Sequence, residues 1–310
     1  MSIVLGAGLS YSPLMYRPRD RWPAISDYLV GDVVQPAARE GETEAQLADY
    51  EKRIAAAFDQ LAGVIAEGNL DALILLYSDR GDVFDVSNTP QLHLQVGGDM
   101  WGDAAMPSLG EEARRTQFTC DEVLAELLAE ELVRRGFDIS EGRSLFRPLG
   151  DAGRGMPPAA TEAGRRLGGG LPVIPLHVNC HVDPVLPGRR LDAFGRALAQ
   201  AAALSGKRLG LLVSGGLSGD PGGAMAGWVD DILDRWVLTR IERGQARDVA
   251  AIWDARSRTL QGSSAEIRLW TVAAAALEEA GCRGRVIDYM PVSHGAAGVG
   301  FMAWETPSCR

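Results

Sequence analysis

A chain of 310 residues fits one large α/β domain or two smaller ones, and its 46% hydrophobic, 23% charged composition excludes intrinsic disorder over most of its length. Folding at this size buries roughly three quarters of the unfolded surface, enough for a sizeable core. Thirty-one Lys and Arg against 41 Asp and Glu give a net charge of −10 without basic runs, so the electrostatic footprint of a nucleic-acid or anionic-membrane binder is absent.

Cys120, Cys180, Cys282 and Cys309 are scattered, with no Cys-x-x-Cys pair, and read as reduced cytosolic thiols without a zinc ribbon. The apolar run from Ile3 to Leu9 lacks a basic flank and is too short for a signal core, and no stretch approaches the ~20 apolar residues of a spanning helix. The expectation is a soluble, cytoplasmic protein.

In chain order, a strand is predicted over Ser2–Ala7, then a Pro- and aromatic-rich loop from Tyr16 to Ala38. Leu47, Ile54, Phe58, Leu61 and Ile65 predict a helix from Glu44 to Glu67, with Gly68 as a left-handed cap. A strand follows at Asp71–Tyr77. The capping box Thr119-Cys120-Asp121-Glu122 opens a helix through Arg135 that Gly136 stops. Leu145 to Gly170, rich in Gly, Pro and Arg, predicts a second long loop. Strands at Val173–Val178, Arg208–Val213 and Gly284–Asp288 then alternate with helices over 191–205, 228–243 and 265–280, each followed by a glycine. This is the pattern of an α/β protein with a mixed central sheet flanked by helices. A single domain over 1–305 with a tail at 306–310 is expected.

Polar turns follow four of the strands: Gly8-Leu9-Ser10-Tyr11-Ser12-Pro13, Ser78-Asp79-Arg80-Gly81, Asn179-Cys180-His181 and Ser214-Gly215-Gly216-Leu217-Ser218-Gly219-Asp220. In open α/β sheets the ligand crevice lies beyond the carboxyl ends of the strands, so these turns are expected to share one pocket. Gly6-Ala7-Gly8 does not complete a dinucleotide fingerprint, because Tyr11 holds the third glycine position. The glycine-rich 214–223 segment serves equally as an anion cradle or a tight turn, and it lacks the Lys-Ser/Thr ending of a P-loop. There is no Gly-x-Ser-x-Gly elbow. His177 and His181, as extended chain, lie ~13 Å apart and cannot chelate together unless the chain turns at Asn179. Ser263-Ser264-Ala265-Glu266 reads as a capping box, which would engage Glu266 with its own helix terminus.

Taken together, Gly-Leu-Ser-x-Ser-Pro at 8–13, Ser-Asp-x at 78–80, Val178-Asn179, Ser-Gly-Gly-Leu-Ser at 214–218, Gly-Ser-Ser-Ala-Glu-Ile-Arg-Leu-Trp at 262–270, Asp-Tyr-Met-Pro at 288–291 and Gly-Val-Gly-Phe at 298–301 resemble the class III extradiol ring-cleavage dioxygenases, the family of the protocatechuate 4,5-dioxygenase catalytic subunit. The resemblance implies a non-haem Fe(II) held by two histidines and a glutamate, with a further histidine as acid/base. Carried over residue by residue, the first histidine is Tyr11 here, the second is Arg80, the acid/base histidine is Gly219, and the carboxylate is retained as Glu266. Arginine has no lone pair to give a metal. The resemblance therefore implies that Fe(II) is not used, although the family would call for it, and that Arg80 substitutes for its charge and pairs with Glu266.

On this reading Tyr11, Asp79, Arg80, His181, Glu266 and His294 are the candidate catalytic residues, and Ser10, Asn179, Ser218, Gly219 and Arg268 the candidate ligand contacts, with Ser218 and the Gly219 backbone as oxyanion donors. The implied function is metal-independent hydrolysis, decarboxylation or C–C cleavage of a small phenolic or carboxylated substrate in aromatic-compound metabolism. The alternatives are a non-catalytic subunit of a hetero-oligomeric dioxygenase, a site plugged by its own ion pair, and a dioxygenase rewired through His177 or His181. A homodimer or a hetero-oligomer with a paralogous chain is expected.

Overall fold

The computed structural model describes residues 2–85, 87–144, 155–254 and 260–307. From β1 (Ile3–Leu9) the chain passes to α1 (Trp22–Val30), α2 (Ala37–Gly41), α3 (Glu44–Glu67) and β2 (Ala72–Tyr77). Then come β3 (Leu92–Asp103), β4 (Arg115–Phe118), α4 (Glu122–Arg134), β5 (Ser140–Ser144) and α5 (Pro158–Leu167). The remainder is β6 (Val173–Val178), α6 (Gly188–Ala203), β7 (Leu209–Ser214), α7 (Asp231–Glu242), α8 (Ala246–Ala251), α9 (Ile267–Glu279), β8 (Arg283–Val292) and β9 (Ala297–Glu305).

The strands form one mixed sheet in the order β4-β3-β6-β2-β7-β1-β9-β8, with β5 paired to β3. The central strands β6, β2, β7 and β1 are parallel, while β3 and β9 flank them antiparallel. Parallel strands covered on both faces need continuous apolar sequence, which Ala72–Tyr77 and Val173–Val178 supply with every residue buried. Alternation then divides the core. Ile74, Leu76, Ile174 and Leu211 pack with α4, α6 and α9, whereas Leu73, Leu75, Val173 and Leu212 pack with α1, α3 and α5. The result is a single α/β domain of three layers.

Close approach of α6 to α9 depends on Gly195, where a Cβ would lie 2.3 Å from the Val272 carbonyl oxygen. Gly195→Ala is expected to cost ~1–3 kcal/mol through overpacking, read as a shift of the urea midpoint with unchanged slope.

Several expectations change. The segment 16–38 is not a loop throughout: α1 buries Trp22, Ile25 and Leu29, and Pro23 sits in the first turn, where its missing N–H costs nothing. Within 145–170, Pro157 and Pro158 open α5; residues 145–154 lie outside those described. Gly68 has φ −66° and the left-handed residue is Asn69 at φ +46°. The N-cap of α4 is Asp121, whose carboxylate accepts from Leu124 N–H at 3.1 Å, rather than Thr119. Among the described residues no helix is long and apolar enough to cross a membrane.

Candidate functional site

The turns after β1, β2 and β7 meet the N-terminal ends of α5 and α9 around a pocket of about 450 Å³ that includes Tyr11, Ser78, Arg80, Met106, Pro158 and Glu266. The sheet explains this convergence, because β2 lies beside β7 and β7 beside β1, all running the same way.

Glu266 is the hub. Its Oε1 accepts from Arg80 Nε at 2.9 Å and from His181 Nε2 at 2.9 Å, and its Oε2 accepts from the Gly216 N–H at 2.6 Å. Burial alone would raise its pKa; the Arg80 charge, the His181 hydrogen bond and the Gly216 amide prevail and hold it at about 2. An ionised Glu266 fixes His181 with its proton on Nε2. The expected local capping box is not made: no side chain caps α9, and Glu266 reaches across to β2 and β7 turns instead. Arg80 remains 38% exposed. Its Nη2 donates to Ser263 Oγ at 3.3 Å, and its Nη1 has no partner among the described residues.

Tyr11, Arg80, His181 and Glu266 are thus brought together, with Tyr11 on the pocket wall and its ring 5.9 Å from that of Tyr16. The other candidates are engaged elsewhere. The Asp79 carboxylate accepts from the N–H groups of Gly81, Val83 and Phe84 at 2.9–3.0 Å, so it shapes the turn that presents Arg80. The Asn179 side chain accepts from the N–H groups of His181 and Val182 and donates to the Val182 carbonyl, so it shapes the turn that presents His181. Ser10 Oγ accepts from Gly300 N–H at 2.9 Å. His294 is fastened through its ring and backbone N–H to Glu42 and does not line the pocket. Arg268 stacks on Trp253 with its guanidinium 3.8 Å from the ring centre and opens on a neighbouring cleft beside His181.

The proposed oxyanion donors are already committed. Ser218 N–H and Oγ–H both donate to Asp234, at 2.7 and 2.6 Å, and Gly219 N–H donates to Ser264 Oγ at 3.2 Å. His177, the other rewiring candidate, is held neutral: burial, then His93 and His181, lower its pKa to about 3, and its Nδ1 accepts from Asp79 N–H at 3.2 Å. Ser78, Ser263 and Asp234 carry parts of the site or its support that the sequence reading did not single out. Ser78 and Ser263 had local signals, the Ser-Asp-Arg turn and the capping-box pattern; Asp234 had none.

A carboxylate-centred cluster lies at the carboxyl edge of a mixed sheet, the place where open α/β folds form their ligand crevices. Residues 37–300 match the family described as "Catalytic LigB subunit of aromatic ring-opening dioxygenase", and the chain belongs to that family. It is 28% identical over 179 residues to a 2,3-dihydroxyphenylpropionate/2,3-dihydroxicinnamic acid 1,2-dioxygenase of Azotobacter vinelandii, covering 43% of this chain and 57% of that one. It is 41% identical over 90 residues to the same-named protein of Mycolicibacterium vanbaalenii, covering 27% of this chain and 28% of that one. The matches thus span about half the length of the first relative and about a quarter of the second. A crystal structure of an uncharacterized Escherichia coli K12 protein superposes with TM-score 0.52 at 10% identity, over 97% of this chain and 99% of that one, a likeness of fold.

The iron that the resemblance implies would ask for two imidazoles and a carboxylate with open positions between them. The residues at those places here do not fit it. Arg80 offers only N–H donors, and each oxygen of Glu266 already accepts from this chain's own groups. Among the described residues no group of three His, Cys, Asp or Glu side chains is disposed to hold a metal ion.

Proposed function

We propose that this chain is a ring-cleavage dioxygenase homologue that works without iron, binding a small phenolic or carboxylated aromatic in the 450 Å³ pocket and acting on it by hydrolysis, decarboxylation or C–C cleavage. The observation that supports this reading is the Arg80–Glu266 pair at 2.9 Å, a positive charge held against the carboxylate that the resemblance would make an iron ligand. A site plugged by its own ion pair would bury the arginine; Arg80 instead keeps 38% of its side chain exposed, with N–H groups left to receive an oxyanion. Tyr11 is the phenol beside that charge, and Glu266 with His181 forms the proton-holding pair behind it.

The test is an oxygen electrode with protocatechuate-like diols, run beside product analysis on phenolic acids. The expected result is no diol-dependent oxygen consumption and unchanged behaviour after chelation. Oxygen uptake stoichiometric with diol loss would contradict the proposal.

One observation favours the non-catalytic subunit. Tyr28, Val34, Met225 and Trp228 are exposed on two segments tied by Gln35 Nε2–H to the Ala226 carbonyl (3.1 Å) and Gly222 N–H to the Leu29 carbonyl (2.8 Å), giving an apolar rim suited to a paralogous chain. Activity that emerges only on co-expression with an imidazole-bearing paralogue would support that role.

A further inference from the structure

Several residues lining the proposed ligand pocket present no free N–H. Five of its lining residues, Pro13, Pro107, Pro157, Pro158 and Pro221, carry no N–H. Elsewhere on the wall, Ala105 N–H donates to Asp103 at 2.9 Å, Met106 N–H to Glu111 at 2.8 Å and Gly222 N–H to the Leu29 carbonyl at 2.8 Å. Three further lining groups stand out. α5 begins at the pocket with Pro158 and Ala159, and its first helical hydrogen bond is Thr161 N–H to the Pro157 carbonyl at 3.0 Å. The Ala159 N–H therefore precedes the helical ladder, and no side chain caps it. Ser78, 3% exposed, lines the same pocket with a hydroxyl that has no hydrogen-bond partner within bonding geometry among the described residues. The adjacent Cys180 thiol donates instead to the Val178 carbonyl at 3.4 Å. Two residues on, Arg80 holds Nη1 unpaired among the described residues.

We infer that the N-terminus of α5, the Ser78 hydroxyl and the Arg80 guanidinium together form a carboxylate-receiving pole, so that the pocket selects aromatic monoacids bound acid-first, with the ring among the prolines. The inference rests on the proposed reading of the pocket as a ligand site and adds the chemical class of the ligand. Helix N-termini favour anions through their free N–H groups and dipole. A hydroxyl donor and a guanidinium supply further hydrogen bonds, the guanidinium's charge-assisted. The prolines and the committed amides leave a second carboxylate at the far end of a ring few N–H donors among the described residues, so its desolvation is poorly offset.

The experiment is calorimetric titration of the full chain with benzoate, benzamide and terephthalate. Benzoate is expected to bind about tenfold or more tightly than either competitor. Ala159→Pro removes one N–H from the first helical turn, where proline is tolerated, and Ser78→Ala removes the hydroxyl. Each is expected to weaken benzoate about tenfold with an unchanged thermal midpoint. Benzoate bound at full strength by both variants, or terephthalate bound as well as benzoate, overturns this inference alone. No binding of any probe to the unaltered chain overturns the ligand-pocket reading and this inference with it.

Discussion

Replacing Asp234 with alanine is expected to destabilise the chain by about 3–5 kcal/mol. Asp234 is fully buried and accepts from Ser218 N–H at 2.7 Å, Ser218 Oγ–H at 2.6 Å and Tyr289 Oη–H at 2.8 Å. It ties the turn after β7 to α7 and to the β8 edge. Alanine leaves three buried donors without an acceptor. Asp234→Asn keeps the volume and one carbonyl, so the loss is smaller.

The same residue carries a pH signature. Burial raises its pKa from 3.8 to about 6 against the pull of the Ser218 and Tyr289 hydrogen bonds. The folded chain then holds this proton more tightly than the unfolded one. The contribution of Asp234 to stability is greatest below pH 3.8, falls as pH rises to about 6, and is flat above. The change is on the order of 3 kcal/mol. Denaturation of the wild type and Asp234→Asn across pH 4–7 should show this slope in the former only; parallel curves would refute the buried-carboxylate assignment.

Arg80→Met is expected to weaken aromatic-acid binding by about a hundredfold, since it removes the only guanidinium on the pocket wall among the described residues together with its charge-assisted hydrogen bonds. Arg80→Lys keeps the charge but loses the fork and should fall between. The methionine variant also withdraws the guanidinium charge that does most to hold Glu266 ionised. Because the folded pKa of Glu266 is lowered to about 2, its contribution is present above the unfolded value of 4.5 and is lost as pH falls toward 2. Without Arg80 that loss begins at higher pH, so the acid-unfolding midpoint should rise. Unchanged ligand affinity in Arg80→Met would argue against charge substitution.

The central parallel strands were legible because a doubly covered strand must be apolar throughout, as Ala72–Tyr77 is. The helix from Glu44 to Glu67 was legible for a related reason, its one buried stripe. Strands β3 and β9 were not. In β9, glycines interrupt the pattern because neighbours crowd them: a Cβ at Gly298 would lie 1.9 Å from Asp234 Oδ2. α5 was hidden by the prolines that begin it. At the site, the pairing of Arg80 with Glu266 followed from the family pattern. The roles of Ser218, Gly219 and His294 did not follow, because their partners Asp234, Ser264 and Glu42 are distant in sequence or carry no local signature. His177 and His181 bracket a real turn at Asn179, yet that turn aims His181 at Glu266 and leaves His177 in the core.

The most direct measurement is the iron content of the chain after anaerobic loading with Fe(II) and gel filtration, alongside a Tyr11→His/Arg80→His double variant that rebuilds the imidazole pair. The unaltered chain is expected to emerge without bound iron and the double variant to retain it. Stoichiometric iron held through nitrogen donors in the unaltered chain would contradict the account.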